Sequence, residues 1–273
     1  MMSSNNAHPL KIGIALCGGG ARGIAHAGIL KALEEAGIFP EFISGTSMGS
    51  IVGAYYAEGL SPEQILDILS KPRFYNAFTI RIPYDGLTDL TYLKKLLCSN
   101  IEEDTFEALQ KKLFVCVTNL NTGEYEIFGG GKLSTTIMAS CAIPLLFRPV
   151  KIQNSLYVDG GLLNNLPIEP LLDSCDIIIG TNVNPNRPVE KVEGLLNIGE
   201  RCANLLVWEN TRPRLNRCDI RIEVEGAFEF GTFDFKNAAQ IYQAGYEQTL
   251  KQITDIQEII KDKSPKKRLF KFW

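Results

Sequence analysis

Two glycine-rich turns constrain the fold of this chain more than any other feature. Gly18-Gly19-Gly20-Ala21-Arg22-Gly23 follows the apolar run Lys11–Cys17, and Gly45-Thr46-Ser47-Met48-Gly49 follows Phe42-Ile43-Ser44. Behind each turn the chain reads as a helix. A strand that passes at once into a helix, twice in succession, opens an α/β layered sheet of mostly parallel strands. The second turn also fits Gly-x-Ser-x-Gly. There the serine stands on a sharp strand-to-helix turn and the flanking glycines leave room for the bend. The helix N-terminus behind it brings free N–H groups and a positive dipole end near the hydroxyl. Ser47 is therefore the candidate nucleophile, with Gly45, Thr46, Met48 and Gly49 as its elbow. The plainer alternative is a tight turn with a serine helix cap.

The first turn has two readings. Gly18-x-Gly20-x-x-Gly23 fits the dinucleotide-binding fingerprint, which also needs an acidic residue at the end of the second strand to hold a ribose. Here that strand ends in Ser44-Gly45-Thr46-Ser47, and the nearby Glu41 precedes it. The other reading explains more. Backbone N–H groups at a helix N-terminus suit an anion, and a developing oxyanion needs such donors. In a parallel sheet the loops after neighbouring strands share one crevice. Gly18, Gly19, Gly20, Arg22 and Gly23 would then face Ser47 across an acyl-transfer site.

A serine nucleophile needs a base. The chain has two histidines, His8 in a polar leader and His26 one turn into the first helix. An α/β-hydrolase histidine comes late in the chain, after the acid, so counting excludes an ordinary Ser-His-Asp triad. A carboxylate can act alone where burial raises its basicity. Asp159 is the best-placed carboxylate: it ends the short apolar run Leu156-Tyr157-Val158 and precedes Gly160-Gly161. An ordinary Asp-Gly-Gly turn is the alternative.

The rest of the chain alternates strands and helices. Leu113–Thr118 and Glu124–Phe128 read as paired strands, Asp176–Gly180 as a buried strand, and Asp219–Val224 as another. Helices are expected from Ser61 with a capping box, over Leu90–Cys98, over Thr135–Cys141 with Ser134 as cap, and over Val192–Glu209 and Lys236–Lys261. Lys71–Asp89, with Phe74, Tyr75, Phe78 and Tyr84, reads as an irregular excursion, either capping the site or packing on the core. No repeat or low-complexity linker divides the chain. It reads as one domain over 1–273, with a core of about 10–250, a polar leader at 1–9 and a basic, aromatic tail at 262–273. The leader has no apolar signal core and no run is long enough to span a bilayer. Seven scattered cysteines without a Cys-x-x-Cys pair read as buried free thiols. Together these features point to the cytoplasm. A net charge of −3 gives no reason to expect nucleic acid. The tail could touch anionic lipid at the inner membrane surface, or be a frayed end. Asp85, Asp89 and Glu102-Glu103-Asp104 read as solvated charges, so no metal or cofactor is expected.

With these elements in place, the chain resembles the bacterial patatin-like phospholipases. The matching pieces run in order: Gly18–Gly23; Gly45–Gly49; Ala139-Ser140-Cys141-Ala142-Ile143-Pro144 with Phe147-Arg148-Pro149-Val150; Tyr157–Gly161 with Asn165-Leu166-Pro167; and Phe233-Asp234-Phe235 with the helix around Gly245. The resemblance implies a three-layer α/β/α fold and a Ser-Asp dyad of Ser47 and Asp159. It implies an oxyanion hole from the amides around Gly19 and Gly20 with Arg22 beside it, and an acyl pocket near Pro144, Gly160 and Gly161. The implied activity is a serine lipid acyl hydrolase. It would cleave fatty-acyl esters of phospholipids or lysophospholipids through an acyl-Ser47 intermediate. A transacylase on the same site and a non-catalytic lipid-binding regulator are the alternatives. Oligomeric state is open.

Overall fold

The computed structural model describes residues 10–78 and 88–264. Strand β1 (Ile12–Leu16) passes through a 3-10 turn (Gly20–Ile24) into α1 (Ala25–Glu35), and β2 (Phe42–Thr46) passes through Ser47 into α2 (Met48–Glu58). Then come α3 (Pro62–Leu69), α4 (Pro72–Ala77), α5 (Thr91–Cys98), β3 (Lys112–Asn119), β4 (Glu124–Phe128) and α6 (Leu133–Ser140). The chain continues through β5 (Val150–Ile152), β6 (Ser155–Asp159), α7 (Glu169–Leu172), β7 (Ile177–Asn182), α8 (Leu195–Leu215), β8 (Ile220–Glu223) and α9 (Ala238–Lys263).

The sheet runs β5-β6-β3-β2-β1-β7-β8, with β4 also paired to β3. The five central strands β3, β2, β1, β7 and β8 are parallel; β4, β5 and β6 are antiparallel additions. Side-chain alternation along β1 separates the faces. Gly13 lies against Leu171 of α7 and Cys175, while Leu16 lies against Gly53 of α2. The α1–α2–α9 group therefore covers one face and α7–α8 the other, giving three layers. Helices α1 and α9 cross without intervening side chains. A Cβ on Gly28 would stand 2.0 Å from Tyr242 O, and one on Gly245 would stand 2.1 Å from Ala25 O.

Two strands share one edge of β3, and their ends position the candidate residues. Strand β4 occupies one edge of β3 from Val115 to Asn119. On the opposite edge β2 pairs up to Thr46–Cys116, and β6 takes over from Asp159–Val117. Strand β2 runs with β3 and β6 runs against it. Their C-terminal ends therefore meet head to head, with Ser47 leaving one and Asp159 ending the other.

Several local expectations change. Residues 72–77 form a helix within the stretch read as irregular, with Pro72 in its first turn. Phe74 and Phe78 pack on the core against Phe235, and Phe78 also meets Phe147. Tyr84, Asp85, His8, the leader and residues 265–273 of the tail lie outside the described residues. Ser134 is not the cap of α6. The helix starts at Leu133, two residues earlier than expected, and both the N–H and the hydroxyl of Ser134 bind Asp104 of the preceding loop. The edge strand β5 is only three residues long, too short for its alternation to register in the sequence. Cys98 and Cys202 are exposed, whereas Cys17, Cys116, Cys141 and Cys218 are buried.

Candidate active site

The turn after β2 is bent harder than a side chain prefers. Ser47 sits at φ 51° and ψ −124°, a conformation that costs a residue with a Cβ about 1–3 kcal/mol. Its surroundings enforce it. A Cβ on Gly49 would stand 2.2 Å from Leu16 O, and one on Gly45 would stand 2.6 Å from Gly49 C and O. The helix thus begins against the end of β1, closer than any other residue allows. The first turn of α2 holds the Ser47 carbonyl, which accepts from Ser50 N at 2.9 Å and Ser50 Oγ at 2.6 Å. The Ser47 N–H donates to Ser140 Oγ at 2.8 Å. Ser47 is 7% exposed, just within reach of solvent.

Asp159 is 6% exposed. Its N–H donates to Ala142 O at 3.0 Å and its carbonyl accepts from Thr118 Oγ1 at 3.1 Å. Oδ1 accepts from Gly161 N at 2.8 Å. Burial raises the carboxyl to about 6, with hydrogen bonds from the Ser47 side chain and the Gly161 N–H offsetting part of the rise. The chain can turn here because Gly160 has no Cβ; one would meet Cys116 O at 2.5 Å.

The glycine loop stands directly over Ser47. A Cβ on Gly18 would lie 3.1 Å from Ser47 Cβ. The N–H of Gly18 is already engaged, donating to Asn165 Oδ1 at 3.1 Å and to Asn165 O at 3.3 Å. The Ala21 N–H donates to Thr232 O at 2.8 Å. Between them, the N–H groups of Gly19 and Gly20 carry no hydrogen bond to a described residue. Arg22 braces the loop from behind: Nε donates to Phe230 O at 2.6 Å and Nη1 to Asn184 Oδ1 at 3.4 Å. Gly23 packs on Met48, tying the two turns together.

His26 is fully buried under this loop, with Nε2 2.8 Å from Cys17 O and Nδ1 3.1 Å from Thr181 Oγ1. Burial lowers its imidazole to about 4, so it stays neutral at physiological pH. Pro144 is half-buried two residues past Ala142, whose carbonyl holds the Asp159 N–H. Gly160 and Gly161 lie beside the carboxyl itself. Among the described residues no cluster of three or more His, Cys, Asp or Glu could hold a metal. Asp89 and Asp104 instead bind the backbone of α5 and α6.

Two residues at this centre have no signature in the sequence alone. Ser140 and Asn165 both lie within stretches already singled out, but a lone serine at a helix end or a lone asparagine in a loop carries no spacing that reveals a partner.

A family model described as patatin-like phospholipase matches residues 14–172. An uncharacterised NTE family protein of Mycobacterium bovis is 34% identical over 170 residues, covering 60% of this chain and 29% of its own. Lysophospholipase nte1 of Aspergillus fumigatus is 27% identical over 272 residues, covering 86% of this chain and 18% of its own. The chain therefore spans less than a third of the length of these relatives. Among solved structures, human GIVD cytosolic phospholipase A2 superposes with a TM-score of 0.56 at 11% identity, covering 93% of this chain and 60% of that one. VipD of Legionella pneumophila gives 0.52 at 18% identity, covering 91% and 67%. These likenesses concern the fold, an open and mostly parallel sheet between helical layers. The family model spans more than half of the chain, and the chain belongs to the patatin-like phospholipase family.

Proposed function

We propose that this chain is a serine lipid acyl hydrolase that cleaves fatty-acyl esters of phospholipids or lysophospholipids through a Ser47–Asp159 dyad. The observation that carries the reading is the head-to-head meeting of β2 and β6. It brings a strained, nearly buried serine to a buried carboxyl whose affinity for a proton is raised to about 6. A base of that strength is ionised at neutral pH yet still holds a proton well enough to take one from a hydroxyl.

In the first step Ser47 Oγ attacks the ester carbonyl carbon as its proton passes to Asp159. The carbonyl oxygen gains the negative charge and is held by the N–H groups of Gly19 and Gly20, which have no other partner among the described residues. Losing one such donor costs about 3 kcal/mol of barrier. The tetrahedral centre then collapses, and the alcohol leaves with the proton from Asp159. Water attacks the acyl-serine in the same way, giving a fatty acid and free Ser47. We assign Pro144, Gly160 and Gly161 to the acyl pocket, as the family resemblance implies; Gly160 and Gly161 follow Asp159 directly, and the Gly161 N–H bonds its carboxyl. Gly18 and Arg22 hold the loop and donate nothing to the oxyanion. The name lysophospholipase carried by relatives supports single-chain phospholipids as the first substrates to try.

The test is labelling by a fluorophosphonate and release of fatty acid from lysophosphatidylcholine, in wild type, Ser47→Ala and Asp159→Asn. Labelling and hydrolysis that disappear in both variants are expected. Hydrolysis retained in Ser47→Ala would remove the assignment.

A further inference from the structure

The strained turn raises a question that its own helix does not answer. The first turn of α2 secures the carbonyl of Ser47, but its N–H points back, out of the helix. That N–H is satisfied from a different part of the chain. The hydroxyl of Ser140, the last residue of α6, accepts it at 2.8 Å and donates in turn to Cys116 O at 2.7 Å. Ser140 is wholly buried. Its single oxygen thus lies between the exit of β2 and the backbone of β3.

Cys116 is the residue at which β2 stops pairing, and its neighbour Val117 is the residue at which Asp159 pairs. The Cys116 carbonyl is also the atom that Gly160 closes upon. The hydroxyl therefore ties the nucleophile's peptide to the short piece of β3 that carries the base. Resting on the proposed hydrolase reading, we infer that Ser140 is a positioning residue for acyl transfer. It touches neither substrate nor reacting atom, and it sets where Ser47 Oγ stands relative to Asp159 and to the N–H groups of Gly19 and Gly20.

The chemistry demanded at this point is narrow. The bridging group must accept one hydrogen bond and donate another from the same atom, inside a buried space. A hydroxyl does this. An alanine leaves a buried N–H and a buried C=O unpaired. A cysteine makes a longer, weaker bridge. Release of the N–H lets the turn relax away from its strained geometry, and displacements of about 1 Å at a reacting group cost on the order of a hundredfold in rate.

Steady-state hydrolysis of a soluble p-nitrophenyl ester, with the rate of fluorophosphonate labelling, tests this in wild type, Ser140→Ala, Ser140→Thr and Ser140→Cys. In Ser140→Ala kcat and the labelling rate should fall by about tenfold to a hundredfold with KM within about twofold. Ser140→Thr, which keeps the hydroxyl but adds a methyl, should recover most of the loss. If Ser140 only fills space, the order reverses and the threonine variant is the worse of the two. That order, or a wild-type kcat in Ser140→Ala, overturns the inference. Should the alanine variant not fold, Ser140→Cys takes its place, with reduced kcat at unchanged KM expected and wild-type kcat overturning. Failure of the hydrolase reading looks different: wild type itself is then unlabelled, or Ser47→Ala still turns over.

Discussion

Gly18 and Asn165 are joined on both sides of one residue. The Gly18 N–H donates to Asn165 Oδ1 at 3.1 Å, and Asn165 Nδ2 donates back to Gly18 O at 3.4 Å. A carboxamide offers an acceptor and a donor in one plane, so it grips a peptide as a neighbouring strand would. Asn165 is itself tied to α8 through Thr211 Oγ1 and Asn210 Oδ1. The glycine loop is thus anchored to the far helical layer.

Asn165→Asp separates this grip from simple shape. It keeps the size and the acceptor, loses the donor to Gly18 O, and sets a second carboxyl close to Gly161, where Asp159 also bonds. Like charges disfavour ionisation, so Asp159 should hold its proton to higher pH. The acid limb of kcat/KM should move up and the plateau should fall. An unmoved limb would place the two groups out of electrostatic contact.

In wild type the same limb reports Asp159 directly. On the proposed mechanism Asp159 must be ionised to take the serine proton, and its carboxyl is raised to about 6. Activity should be flat above that value and fall about tenfold per pH unit below it. A limb near the ordinary value of 3.8 would mean that the carboxyl is solvated during turnover.

Asp159 should also weaken the fold that it serves. Its folded pKa is raised, so between 3.8 and about 6 the native state holds a proton that the unfolded chain releases. Stability therefore drops as pH rises through that window and stays lower above it. Asp159→Asn keeps an acceptor for the Gly161 N–H and removes the charge. Thermal melts should show an inactive variant more stable than wild type by about 2–3 kcal/mol at pH 8, with most of the advantage gone at pH 4. Equal melts at pH 8 would contradict the assigned burial cost.

Backbone strain at Ser47 predicts a divergence between two inactive variants. Ser47→Ala keeps a Cβ at φ 51° and should melt close to wild type, whereas Ser47→Gly removes the steric cost and should melt higher by about 1 kcal/mol. A glycine variant melting below the alanine variant would mean that the turn is not strained.

Two further glycines should respond in opposite directions to alanine. Gly49→Ala drives a methyl to within 2.2 Å of Leu16 O and should cost at least about 3 kcal/mol or abolish folding. Gly199→Ala, within α8 and with nothing inside 4 Å, should gain about 0.5–1 kcal/mol in chemical denaturation.

Local pattern alone determined much of this protein. The two strand–turn–helix units, the capping box at Ser61–Gln64, the antiparallel pair around Asn121–Gly123 and the buried strand near Ile178 are set by side-chain periodicity and turn chemistry within a few residues. The order of the motifs, with the lack of a late histidine, points to Ser47 and Asp159 as the candidate pair. Tertiary structure decided what no short window contains. The meeting of β2 and β6 depends on both strands sharing one edge of β3, and they are more than a hundred residues apart. The strain at Ser47, the engagement of the Gly18 N–H and the bridge through Ser140 exist only once distant backbone is packed to within hydrogen-bond range. The helix at 72–77 and the edge strand β5 went unread because their hydrophobic residues answer to aromatic packing on Phe235 and to pairing with β6, not to a local period. Periodicity records which face of an element is buried; which group finds which partner is settled by the close packing of the whole chain.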